Sequence, residues 1–211
     1  TIGLGASTKS ICYSMADVLD GICTLSSLIQ HTSSGVYLAP ASADLLLAER
    51  KMIFKGNASN QLKNIIDDLI ERFDHILIDA PAGHGLLTIN AISAGDDLII
   101  PIDASVYAKE ASETFIAMLN RLERLTGKKI KVAAVIVKEL AGLSLKNSLG
   151  GQAQKLQQLF SPNNLSKPAV ISVPHTAVCD RAASKGIPLV EYAPLSRLSQ
   201  RFKDVAKLVT E

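Results

Sequence analysis

The chain lacks an excess of either charge: 22 Lys and Arg stand against 20 Asp and Glu, a formal net charge of +2 over 211 residues. Bulk electrostatics therefore supply no pull towards nucleic acid or membrane, and any such contact has to be a local patch. It lacks an apolar run near the ~20 residues that a membrane-spanning helix needs, and its start has no signal-peptide layout. Its three cysteines, Cys12, Cys23 and Cys179, are odd in number and without C-x-x-C spacing. That argues against a disulfide frame or a zinc site and for a reducing compartment, so the protein is expected to be cytoplasmic and its cysteines to be small buried hydrophobes. His31, His75 and His84 share no metal-ligand spacing and read as ordinary surface or loop residues. No repeat or low-complexity linker interrupts the chain, although 161–167 (SPNNLSK) reads as a surface loop ahead of a strand. An initiator methionine is also missing, since the chain opens on Thr1, and a fragment or processed product is the expectation.

What is present is apolar: 47% of the residues are hydrophobic, enough to bury a real core in one domain over 1–211. Short runs rich in Ile and Val, bounded by Gly, Pro or Asp, recur at 36–39, 76–78, 98–102, 132–137 and 169–173, with a weaker one at 187–190. Such runs lack alternation and suit strands covered on both faces. Between them lie helical patterns. Phe115, Met118, Leu119, Leu122 and Leu125 recur every three or four residues within 106–125, as do Leu62, Ile65, Ile66, Leu69 and Ile70 within 57–73. Strand and helix in alternation predict an α/β fold, a doubly wound, mostly parallel sheet flanked by helices. A final helix over about 196–209 has the inner stripe Leu198, Phe202, Val205 and Val209. Away from it lie two i,i+4 basic pairs, Arg197/Arg201 and Lys203/Lys207, either a solvated face or an anion contact.

The stretch HILIDAPAG, 75–83, ends an apolar run on Asp79 and follows it at once with Pro81 and Gly83. A strand whose carboxyl end opens onto a ligand has this form, because open α/β sheets bind there. Taken alone, the carboxylate serves equally well as a cap for the following turn. With the residues after it, however, the segment FDHILIDAPAGHGLLTINAISAGDDLIIPIDAS resembles the ParA/MinD class of partitioning and positioning ATPases. An apolar strand ending in Asp-x-Pro, a glycine-bearing loop, a short LLTINAI-like helix and a strand ending in proline follow one another as they do there. The upstream ADVLDGICTLSSLIQHTSSGVYLAPAS and the downstream VISVPHTAVCDRAASKGIPLVEYAPLSRLSQRFKDVAKLV extend the resemblance over nearly the whole chain.

The resemblance implies a set of roles. Asp79 would be the Walker B carboxylate, holding Mg²⁺ directly or through water, as suits a hard cation that keeps several of its waters. Pro81 and Gly83 would form the switch loop that senses the γ-phosphate. Pro174 and His175 would lie near adenine, with His175 where arginine is frequent. Lys138 and Glu139 stand where the family often has Asn or Thr, which puts base recognition there in question. Lys185, Arg197, Arg201 and Lys203 are the candidate DNA contacts.

GLGASTKS, 3–10, nearly spells the phosphate loop G-x-x-x-x-G-K-[ST], but Thr8 stands where the second glycine belongs and no strand precedes it. The same residues fail G-x-G-x-x-G, which excludes a nicotinamide-dependent oxidoreductase. By register, the family's first βαβ unit with its phosphate loop is expected upstream of Thr1, leaving 1–211 an N-terminally incomplete domain. The function implied is an ATP- and Mg²⁺-dependent homodimer with partner-stimulated hydrolysis, ParA-like and binding DNA nonspecifically. A MinD-like membrane-linked positioning role is the weaker alternative, since no amphipathic tail follows the last helix. A non-hydrolysing scaffold of the same fold is the reading from a different class.

Overall fold

The computed structural model describes residues 2–6, 12–54, 58–103, 108–139, 157–160 and 167–210. Its chain divides into two units, Thr1–Gly95 with Arg181–Pro188, and Asp96–Asp180 with Leu189–Glu211.

The first unit is built from short helices. Helix α1 (Met15–Asp20) begins on a capping box, in which Ser14 Oγ accepts from the Ala16 N–H and Asp17 accepts from the Ser14 N–H at 2.7 Å. It ends where Gly21 takes φ 80°, the left-handed turn that glycine adopts without steric cost. Helix α2 (Leu25–Leu28) and a minimal antiparallel hairpin, β1 (Gln30–His31) with β2 (Tyr37–Leu38), follow. Then come α3 (Leu45–Met52), α4 (Gln61–Asp67) and α5 (Leu86–Ala94). Val18, Leu25, Leu28, Ile66 and Leu69 form one buried cluster, and Ala16 and Leu19 of α1 pack with Ala48 and Met52 of α3 in another.

The second unit holds the sheet. Strands β3 (Asp97–Asp103), β4 (Lys131–Lys138) and β5 (Ala169–Val173) are parallel, in the order β3-β4-β5, and α6 (Ala108–Thr126) connects the first two. Successive strand residues face opposite sides of a sheet. Val135 and Val137 of β4 pack with Phe115 and Ile116 of α6, while Ala134, on the other side, is equally sealed from solvent. Both faces of β4 are therefore covered, as the expected α/β layering requires. The chain continues through α7 (Ala177–Ser184), α8 (Leu189–Tyr192) and α9 (Arg197–Thr210), which packs on β4 and β5.

Several expectations are corrected. Residues 76–78 form no strand, and none pairs with them among the described residues. An apolar run becomes a strand only with a hydrogen-bonded neighbour. Residues 36–39 contribute only two strand residues, and these pair antiparallel in the hairpin instead of joining the parallel sheet. The run 187–190 leads into α8, where Leu189–Tyr192 close a helical turn. The 57–73 pattern resolves into α4 between 3₁₀ turns at Ala58–Asn60 and Ile70–Arg72, so Ile70 turns outward. Leu125 and Phe202 are exposed, one in the last turn of α6 and one off the buried line of Leu198 and Val205. Cys12 and Cys179 are exposed and not core residues, whereas Cys23 is half-buried and packs against the Val18–Leu25–Leu28–Ile66–Leu69 cluster. Residues 7–10 of GLGASTKS and 161–166 of the SPNNLSK loop lie outside the described residues.

Candidate functional site

Asp79 ends an apolar run without regular secondary structure, in which Ile78 is packed and Leu77 is not. Ile78 and Phe73 pack against the Val18–Leu25–Leu28–Ile66–Leu69 cluster, whereas Leu77 is 83% exposed. The Asp79 side chain is exposed as well, and among the described residues no hydrogen bond or ion pair engages it. It caps no turn there, so the carboxylate is available to a ligand.

The loop that follows is held from behind. Thr88, buried in the first turn of α5, donates its hydroxyl to the Pro81 carbonyl at 3.1 Å. Gly83 takes φ 140°, a backbone conformation that side-chain-bearing residues rarely adopt, and the space where a Cβ would stand is open. Gly85 is the N-cap of α5 and carries no capping side chain. The missing acceptor comes from α3, where Glu49 Oε1 takes the Leu87 N–H at 3.1 Å. A Cβ at Gly85 would overlap that same carboxylate oxygen. One helix on, Asn90 Oδ1 accepts from the Leu62 N–H at 3.0 Å and so caps α4 from a distance. Sequence reasoning missed Glu49 and Thr88, and it noted Asn90 only as part of a motif. An amide in the otherwise apolar LLTINAISA was the one available signal.

The donor set around Asp79 fits magnesium better than a protein-enclosed metal. Among the described residues no group of three or more His, Cys, Asp or Glu could hold an ion. One exposed carboxylate at the end of an apolar run suits a cation that keeps most of its waters and takes further oxygens from a substrate's phosphates.

Pro174 and His175 belong to the second unit. They follow β5 at the carboxyl end of the parallel strands, the edge at which open α/β sheets receive ligands. Pro174 is half-buried and His175 exposed. Glu139, just past β4, is fixed beside them: its N–H donates to Val173 O at 2.8 Å and its carboxylate accepts from Ser172 Oγ at 2.5 Å. Lys138 reaches Asp103 of β3 at 3.6 Å. The basic residues also divide between the units. Lys185, exposed after α7, lies in the first. Arg197, Arg201 and Lys203 lie on α9 in the second, with Arg201 drawn to Asp204 at 3.2 Å.

Comparison with known proteins extends this picture. A model of the AAA domain matches residues 1–132. The sporulation initiation inhibitor protein Soj of Bacillus subtilis is 26% identical over 210 residues, covering 99% of this chain and 81% of its own length. The ATP complex of Cyanothece McdA superposes with a TM-score of 0.83 at 22% identity, over 99% of this chain and 80% of that one. The septum site-determining protein MinD of Pyrococcus horikoshii, complexed with Mg-ADP, gives 0.75 at 23% identity, over 100% and 77%. With the domain model spanning more than half of its length, the chain belongs to the AAA-domain P-loop ATPases of the ParA/MinD type.

Proposed function

We propose that the protein is a ParA-like partitioning ATPase that dimerises around ATP and hydrolyses it when an activating partner protein binds. The observation that carries this reading is the Asp79 loop: an exposed, unengaged carboxylate followed by a glycine at φ 140° and a tied-back helix start. Asp79 would hold Mg²⁺, directly or through water, and the ion would supply charge neutralisation on the phosphates. Gly83, with open space where a Cβ would stand, lets backbone approach an anion. Pro174 and His175 would border the base. The identity to Soj of Bacillus subtilis, 26% against 21% for MinD of the same organism, supports the ParA-like branch over the MinD-like one. The exposed Arg197 and Lys203 on α9 support a nonspecific DNA contact, whose affinity would fall steeply with salt.

We further propose that a segment preceding Thr1 supplies the phosphate loop and a strand beside 75–80. The exposure of Leu77 there supports this arrangement.

Calorimetric titration of the native gene product with Mg-ATP tests the reading. Heat of binding is expected, together with a shift from monomer to dimer in light scattering. Asp79→Ala should weaken Mg-ATP by at least the roughly 10- to 100-fold lost when an indirect metal partner is removed. Binding of ATP without Mg²⁺ should be little changed by the same substitution. A native product that takes up no Mg-ATP overturns the ATPase reading and leaves the non-hydrolysing scaffold.

A further inference from the structure

The loop 79–85 is tied down at one point by a residue outside it, and the start of the helix it leads into is tied at a second. Thr88 reaches back from α5 to the Pro81 carbonyl, and Glu49 reaches across from α3 to the Leu87 N–H. A helix beginning after a loop is most simply capped by its own N-cap side chain, Ser, Thr, Asp or Asn. Here that position is Gly85, with φ −73° and ψ 176°, an extended conformation open to any residue. The glycine is therefore a matter of space, since a Cβ would drive the Glu49 carboxylate away. The chain gives up a local cap and takes one from a helix that lies 38 positions earlier. This makes the start of α5, and the end of the loop joined to it, depend on where α3 stands. It also places a full negative charge at the positive end of the nine-residue α5.

We propose that Glu49 and Thr88 are the positioning residues of the Asp79 loop, holding its Pro81 and Gly85 ends so that Asp79 and Gly83 present a fixed geometry to the nucleotide. The inference rests on the ATPase reading for its ligand, but the tie itself is measurable without one.

Two pairs of variants of the native gene product separate the hydrogen bonds from bulk. Glu49→Gln and Thr88→Ser keep the acceptor and the donor. Glu49→Ala and Thr88→Val remove them, the second with its shape preserved. In amide hydrogen exchange without nucleotide, Glu49→Ala and Thr88→Val should speed exchange across 82–88 by about five- to tenfold, the equivalent of one lost hydrogen bond. The conservative variants should restore it, and the 97–103 and 131–138 strands should stay unchanged. In Mg-ATP hydrolysis the removing variants should lose about tenfold in kcat with KM within twofold, as expected for loss of positioning. Unchanged exchange at 82–88, acceleration spread evenly over both units, or altered exchange with intact kcat would each overturn the proposal. A parent that neither binds nor hydrolyses Mg-ATP sinks the ATPase reading alone, because the exchange pattern still decides the tie.

Discussion

At the scale of single residues, Asn90 is the clearest case of a polar group held in the interior for structure. It is 1% exposed, donates to Leu86 O at 2.9 Å and Ala58 O at 2.6 Å, and accepts from Leu62 N. Asn90→Ala would leave the Ala58 carbonyl and the Leu62 N–H of another helix without this partner, while Leu86 O keeps its bond within the helix. The cost is about 2–4 kcal/mol, which lowers the urea midpoint by roughly 1 M, as circular dichroism would record. Asn90→Asp does not rescue it, because the carboxylate keeps the acceptor, loses both donors and buries a charge. Asp79 and Gly83 were legible in the sequence because a carboxylate, a proline and a glycine in close succession after an apolar run are locally unusual. Glu49 was not, because it acts on a backbone group 38 positions away and nothing in LLLAERKM marks one carboxylate as inward.

At the scale of elements, the three strands of the parallel sheet fall where their Ile- and Val-rich runs lie, at 98–102, 132–137 and 169–173, within a residue at each end. Such runs are legible because a strand buried on both faces has no polar face to mimic anything else. The middle strand is the least tolerant element. Ala134 is fully buried against the face opposite α6, where Ala134→Leu would have to displace its neighbours. It should cost about 1–3 kcal/mol, measurable as a fall in the thermal midpoint, while the same exchange at the exposed Ala111 of α6 should be close to neutral. The run at 36–39 gave only a two-residue antiparallel strand, that at 76–78 none, and that at 187–190 led into a helical turn. Apolar composition says that a segment is to be covered, but what it becomes depends on which neighbour covers it.

At the scale of the whole molecule, the first unit carries large apolar groups turned to solvent, Phe54 at 90% and Leu77 at 83% exposure. In the 211-residue polypeptide chymotrypsin should cut early after these two residues and after the 91%-exposed Leu195 of the second unit, as fragment masses would show. If a preceding segment pairs with 75–80, the native gene product should resist the cut after Leu77 at least tenfold better, roughly the effect of 1.4 kcal/mol of added protection. Equal cutting in the two polypeptides would refute that pairing.

The long-range cap on α4 also sets an order in time. Leu62 leaves the ribosome 28 residues ahead of the Asn90 side chain that caps its N–H. At about 5–20 residues per second, that is a wait of roughly 1–6 s. Short isolated helices are marginal in water, so α4 spends this interval as an unfinished turn. Glu49, by contrast, has already been synthesised when α5 emerges. The start of α5 can therefore be capped from α3 as soon as its first turn forms, whereas α4 waits for Asn90. A nascent chain halted before residue 90 has no means of completing the fold around Ile66 and Leu69.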